Sequence, residues 1–261
     1  MTWRRFNTVL IFAFVASVAE AAVSESAAMV SGKDAYRRAD FKGAVQSFEK
    51  AATAEPRNSD VQLWLGRAYG RLAETSSFLN APRYASRCRQ AFERSVENDP
   101  KNLEAWNDLF SYYLDAPGFL GGGWDKAQAA AARISELDQA EGAFARSRLA
   151  EEHKDFVGAE SELRRAIELA PGAVGRLVDL GVFLAKRGKR APSDVAFAQA
   201  AAIDPKNPSY LFQRAKVLIT EKREPDEARR LLELYMHSKL NLDDPTPAEA
   251  QRLLAQISKP K

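Results

Sequence analysis

The same proline-terminated pattern returns four times along the chain, at residues 41–56 ("FKGAVQSFEKAATAEP"), 87–100 ("RCRQAFERSVENDP"), 156–171 ("FVGAESELRRAIELAP") and 190–205 ("RAPSDVAFAQAAAIDP"). Each copy carries small or apolar residues at helical spacing and then a proline, which lacks an N–H and clashes with the preceding turn. A second pattern precedes it at residues 63–74 ("LWLGRAYGRLAE"), 105–115 ("AWNDLFSYYLD") and 177–188 ("LVDLGVFLAKRG"). Together they make a unit of about 34 residues. A unit this short cannot bury its own apolar face and must stack on neighbours.

Paired helices with this period resemble the tetratricopeptide repeat (TPR). The resemblance implies an all-α, right-handed superhelical array of antiparallel helix pairs. About six units begin near residues 24, 59, 103, 140, 174 and 208. Ala44, Ala127 and Ala159 are small where the helices of one pair must approach, and Cys88 takes the equivalent place as a small buried hydrophobe. Gly66 and Gly181 serve that contact from the first helix, while Phe48, Phe92, Leu163 and Phe197 are expected to fill the space between repeats. Asn58, Asn102 and Asn207 follow the prolines and can cap the next helix. The sixth unit is degenerate. After it, Thr246 as cap and Pro247 at the first helical position predict a short amphipathic capping helix over about residues 247–258.

Two proline-to-proline intervals run long, by about ten and about five residues over the standard period. The excess predicts enlarged turns inside the second and third repeats, at residues 74–85 and 115–125. Neighbouring units place these turns on one edge of the array. They carry Phe78, Leu79, Phe119, Leu120 and Trp124, more apolar surface than two solvated loops need. Either the loops pack on one another and back onto the array, or they form a lip that closes over a ligand or partner. The second turn is no phosphate loop. Gly118 and Gly123 have the right gap, but Trp124 and Asp125 stand where Lys and Ser or Thr are required. Its glycines are read as backbone geometry after Pro117.

The resemblance also implies that the first helix of each unit lines a concave groove. Candidate partner-binding residues are Arg67, Arg71, Asn107, Phe144, Arg148, Lys186, Phe212 and Lys216, with Leu63, Ser111, Leu114, Glu151 and Val178 beside them. A basic groove with aromatic anchors suits an acidic peptide or a partner helix; the plainer alternative is a solvated charged face. The Lys/Asn carboxylate clamp by which some family members hold C-terminal peptides is not reproduced.

The formal net charge of +3 is too small to point to nucleic acid, and no Lys/Arg run supports it. One cysteine allows neither an internal disulfide nor a Cys-based zinc site, and His153 and His237 lack metal-ligand spacing. No metal, cofactor or catalytic constellation is expected; the densest polar cluster, "EEHKD" at residues 151–155, reads as a repeat turn. The first residues, "MTWRRFNTVLIFAFVASVAEAA", read as an export signal over residues 1–21, with Arg4 and Arg5, a short apolar run and a small-residue cleavage site. The expected mature protein is periplasmic or secreted and has no stable membrane span. Its expected function is that of a non-catalytic interaction scaffold for a protein or peptide. A self-associating structural protein is the alternative, and an enzyme the remoter one. Oligomeric state and partner identity stay open.

Overall fold

The computed structural model describes residues 25–242 and 244–257, so the expected export signal lies outside the described residues. Thirteen α-helices and one 3₁₀ turn make up the regular structure among them. They form six antiparallel pairs: α1 (Ala27–Arg37) with α2 (Phe41–Ala54), α3 (Ser59–Thr75) with α4 (Ala81–Asn98), and α5 (Leu103–Asp115) with α6 (Trp124–Leu137). Then come α7 (Gln139–Glu152) with α8 (Phe156–Leu169), α9 (Val174–Lys186) with α10 (Arg190–Ile203), and α11 (Pro208–Thr220) with α12 (Pro225–Met236). A last helix, α13 (Pro247–Ile257), packs on the final pair.

Local chemistry sets the helix ends. Pro56, Pro100, Pro171 and Pro205 each follow the C-cap of α2, α4, α8 or α10. Asn58, Asn102 and Asn207 accept backbone N–H bonds from the first turns of α3, α5 and α11. Gln139 replaces the expected proline, and there Asp138 alone joins α6 to α7, ending one helix and capping the next through Ala140 and Glu141. Thr246 and Glu249 cap α13 reciprocally: the Glu249 N–H donates to Thr246 Oγ1 at 3.3 Å, and the Thr246 N–H donates to Glu249 Oε2 at 2.6 Å.

Close packing within three of the pairs, α1/α2, α3/α4 and α9/α10, rests on glycine under phenylalanine. A Cβ on Gly66 would lie 2.5 Å from the Phe92 ring, and one on Gly181 would lie 2.8 Å from the Phe197 ring. Phe48 sits the same way on Gly32. These rings pack inside their own pair and also reach the next repeat, Phe48 stacking on Trp64 and Phe197 lying against Tyr210. Ala44, Ala127 and Ala159 are fully buried, and Cys88 is buried in the equivalent place.

The two long intervals resolve differently. Residues 74–85 are not an enlarged turn. α3 and α4 lengthen to 17 and 18 residues, leaving only residues 76–80 between them. Pro82, which reads as a loop residue, stands in the first turn of α4, where no intrahelical N–H is needed. Residues 116–123 do form an irregular turn, with a 3₁₀ segment at Gly118–Leu120. Gly121 takes φ +89°, and a Cβ on Gly122 would collide with the Ala116 carbonyl. The Tyr112 hydroxyl donates to the Leu120 carbonyl at 3.0 Å, and the Gly123 N–H to the Tyr113 carbonyl at 2.8 Å. The 3₁₀ segment rests on α4, where Gly121 approaches the Arg89 side chain.

The apolar residues of these turns split. Phe119 (83% exposed), Phe78 (81%) and Leu79 (75%) point to solvent. Leu120 and Trp124 are half-buried, and Trp124 stacks on His153 with centroids 3.7 Å apart. The loops thus neither form a satellite core nor present all five side chains outward.

The array also meets itself. Leu242, beyond the last pair, packs against the apolar cluster built by the first repeats, while Leu240 packs on the last.

Candidate functional site

The first helices of the later repeats enclose a cavity of about 710 Å³. α7 contributes Phe144 and Arg148, α9 contributes Phe183 and Lys186, and α11 contributes Lys216. Four of the eight residues expected in the groove therefore share one wall: Phe144, Arg148, Lys186 and Lys216.

Ion pairs decide which charges a ligand can meet. Arg148 pairs with Asp115 at 3.3 Å, and Arg187 pairs with Glu151 at 3.1 Å while lying 3.5 Å over the Phe156 ring. Arg176 lies 3.6 Å over the Phe144 ring and bonds both Glu141 and Asp179. Lys186 and Lys216 are exposed and make no side-chain ion pair among the described residues. They sit on adjacent first helices, α9 and α11. The cavity thus combines aromatic walls held by arginines with three ammonium groups, Lys154, Lys186 and Lys216, and the Glu152 carboxylate, none of them ion-paired among the described residues.

The remaining candidates go elsewhere. Arg67, only 13% exposed at its side chain, bonds Asp108 at 2.6 Å and Glu104 at 3.2 Å and lies over the Trp64 ring. It ties α3 to α5. Asn107 donates to Glu141 at 3.3 Å, joining α5 to α7. Arg71 bonds Glu74 at 2.8 Å and lies over Phe41. Phe212 is buried against Tyr235, with ring centroids 5.1 Å apart, so it is a core residue and not an aromatic anchor. Leu63 and Val178 are buried as well. The basic bias expected of the groove is largely neutralised by neighbouring carboxylates at Arg67, Arg71 and Arg148.

A second charged cluster stiffens the last repeats. Asp194 on α10 accepts from Arg214 on α11 at 2.6 Å and from Arg223 at 2.9 Å. The Arg223 hydrogen bond, aided by Arg214, holds the Asp194 carboxyl at about 2, against the cost of its partial burial. Burial pushes the Cys88 thiol up, as suits a packing residue rather than a nucleophile.

No family model and no curated protein matches this sequence. Solved structures do. Yeast Tom70 is 15% identical with a TM-score of 0.55, over 83% of this chain and 43% of its own length. The fold is that of a tetratricopeptide-repeat array. TTC0263, a thermophilic TPR protein from Thermus thermophilus, is 16% identical with a TM-score of 0.48, over 88% of this chain and 96% of its own. MamA is 20% identical with a TM-score of 0.44, over 70% and 93%.

In this TPR array the sequence reading missed Phe156, Phe183 and Arg187, which line the same cavity. Phe156 opens α8 and Arg187 follows the end of α9, so neither lies within a first helix. A rule based on positions within the first helix passes over them. The aromatic residue opening the second helix after an Asp cap (Asp155-Phe156, as Asp40-Phe41) was the available signal.

Proposed function

We propose that the chain is a non-catalytic protein-binding scaffold whose groove, walled by α7, α9 and α11, takes an extended acidic segment of a partner protein. The uncommitted pair Lys186 and Lys216 beside an aromatic-walled cavity carries this reading. Carboxylates of the partner would form charge-assisted hydrogen bonds to the two ammonium groups, and an apolar side chain would rest against the half-buried Phe144 and Phe156. The leader-like first residues support an exported, periplasmic or secreted scaffold.

Selection from a random-peptide display library against the immobilised protein tests the proposal. Acidic sequences with one large apolar residue should be enriched, and the double variant Lys186→Glu/Lys216→Glu should lose them. Recovery of the same sequences by both proteins would refute the groove assignment.

Phe78, Leu79 and Phe119 favour a second reading, self-association through the edge of the array, because side chains this exposed are unusual for large apolar groups. Mass measured against concentration should then rise for the wild type and not for Phe119→Asp. A monomer at every concentration would eliminate it.

A further inference from the structure

The two ends of the array meet across a seam that no repeat pattern requires. Residues 238–242 follow α12 without regular secondary structure. Leu240 packs with the C-terminal cluster and Leu242 with the N-terminal one, so two residues bridge two cores. Around them lies a cavity of about 490 Å³, to which Tyr36, Arg37, Phe41 and Arg71 contribute from the N-terminal side. Asp244 lines the same cavity and accepts the Asn241 N–H at 2.6 Å, while Arg37 pairs with Asp34 and Arg71 with Glu74 through exposed contacts. The seam therefore gathers an apolar anchor, a carboxylate and two arginines around one cavity, yet it is incompletely filled. Tyr36 and Phe41 pack edge to face at 5.3 Å, and Arg71 lies 5.1 Å over Phe41, so the receiving wall is ordered by its own contacts.

We propose that Tyr36, Arg37, Phe41 and Arg71 form a second peptide site, distinct from the groove, which the chain's own Leu242 and Asp244 occupy in cis. Its ligand is a short extended segment with a leucine anchor and an acidic residue two places later. Phe41 and Tyr36 receive the leucine, and Arg37 and Arg71 set the charge. A tethered segment competes at millimolar effective concentration, so an outside peptide binds only as the chain's own segment leaves. Binding in trans would then open the seam and separate the first repeat from the last.

Fluorescence anisotropy with a labelled peptide of residues 236–246 tests this on the full chain. Leu242→Ser, with its own anchor removed, should bind the peptide at least tenfold more tightly than the wild type. Adding Phe41→Ala should abolish that binding, and Lys186→Glu/Lys216→Glu should leave it unchanged. Should Leu242→Ser melt early, Leu242→Ala with Asp244→Lys opens the same site. Equal affinity in wild type and a folded opened variant overturns the proposal. So does absence of binding by a folded opened variant, or loss of binding through the groove lysines alone.

Discussion

Gly66 and Gly181 show how single residues determine the spacing of this array. Each leaves room for a phenylalanine ring from the partner helix, and a methyl group there must displace the ring or the helix. Gly66→Ala should cost roughly 1–3 kcal/mol by overpacking, read as a lower urea midpoint. Reducing the ring in Gly66→Ala/Phe92→Leu should recover part of the loss. An alanine variant as stable as the wild type would contradict the packing described. Asp194 supplies a pH-dependent case. Its folded-state pKa of about 2 lies below the usual carboxylate value of about 3.9, so its contribution is present above pH 4 and lost as pH falls towards 2. Its side chain is 36% exposed, which limits that contribution to about 1 kcal/mol. The stability gap between wild type and Asp194→Asn should therefore be open at pH 7 and close between pH 4 and pH 2. A gap independent of pH would show that the arginine contacts do not act through the carboxylate charge.

Among the elements, those governed by local rules are legible in sequence. Proline stops and asparagine caps act within a few residues; the alanine and glycine contacts join partner helices, but each is visible as a residue type at a spacing that recurs in the unit. The interval 74–85 misleads because proline and polar residues serve equally in a loop and in the first turn of a helix. Only the lengthening of both flanking helices separates the two. Phe212 and Arg67 are misplaced for a different reason. A first helix is covered on one side by its partner and on another by the next repeat, so helical period alone does not mark the strip left open. The cap of α13 gives an element-level prediction. Thr246→Ala removes the two Oγ1 bonds to Glu249, leaving the backbone N–H bond, and should cost about 1 kcal/mol, seen as faster amide exchange in α13 and α12. The exposed turn residues should be neutral: Phe78→Ser and Phe119→Ser are expected to change stability by less than about 0.5 kcal/mol. A larger loss in either would mean that the side chain packs inward.

At the scale of the molecule, six helix pairs curve until the first and last repeats meet, placing a groove and a seam in one chain. The groove residues come from the fourth, fifth and sixth repeats, with Leu114 of the third beside them. Neutralising carboxylates come from neighbouring repeats, as Asp115 does for Arg148 and Glu151 for Arg187. Such pairings depend on how repeats stack and have no signature within one unit, so the sequence overstates the positive charge. On the first helices, what remains uncommitted in the groove is the pair Lys186 and Lys216, with Lys154 beside them past the end of α7. Calorimetric titration of a display-selected acidic peptide into the wild type and into Lys186→Glu/Lys216→Glu tests that pair most directly. The account predicts measurable binding that weakens with added salt and falls at least tenfold in the double variant. Equal affinity in the two proteins at low salt would contradict it.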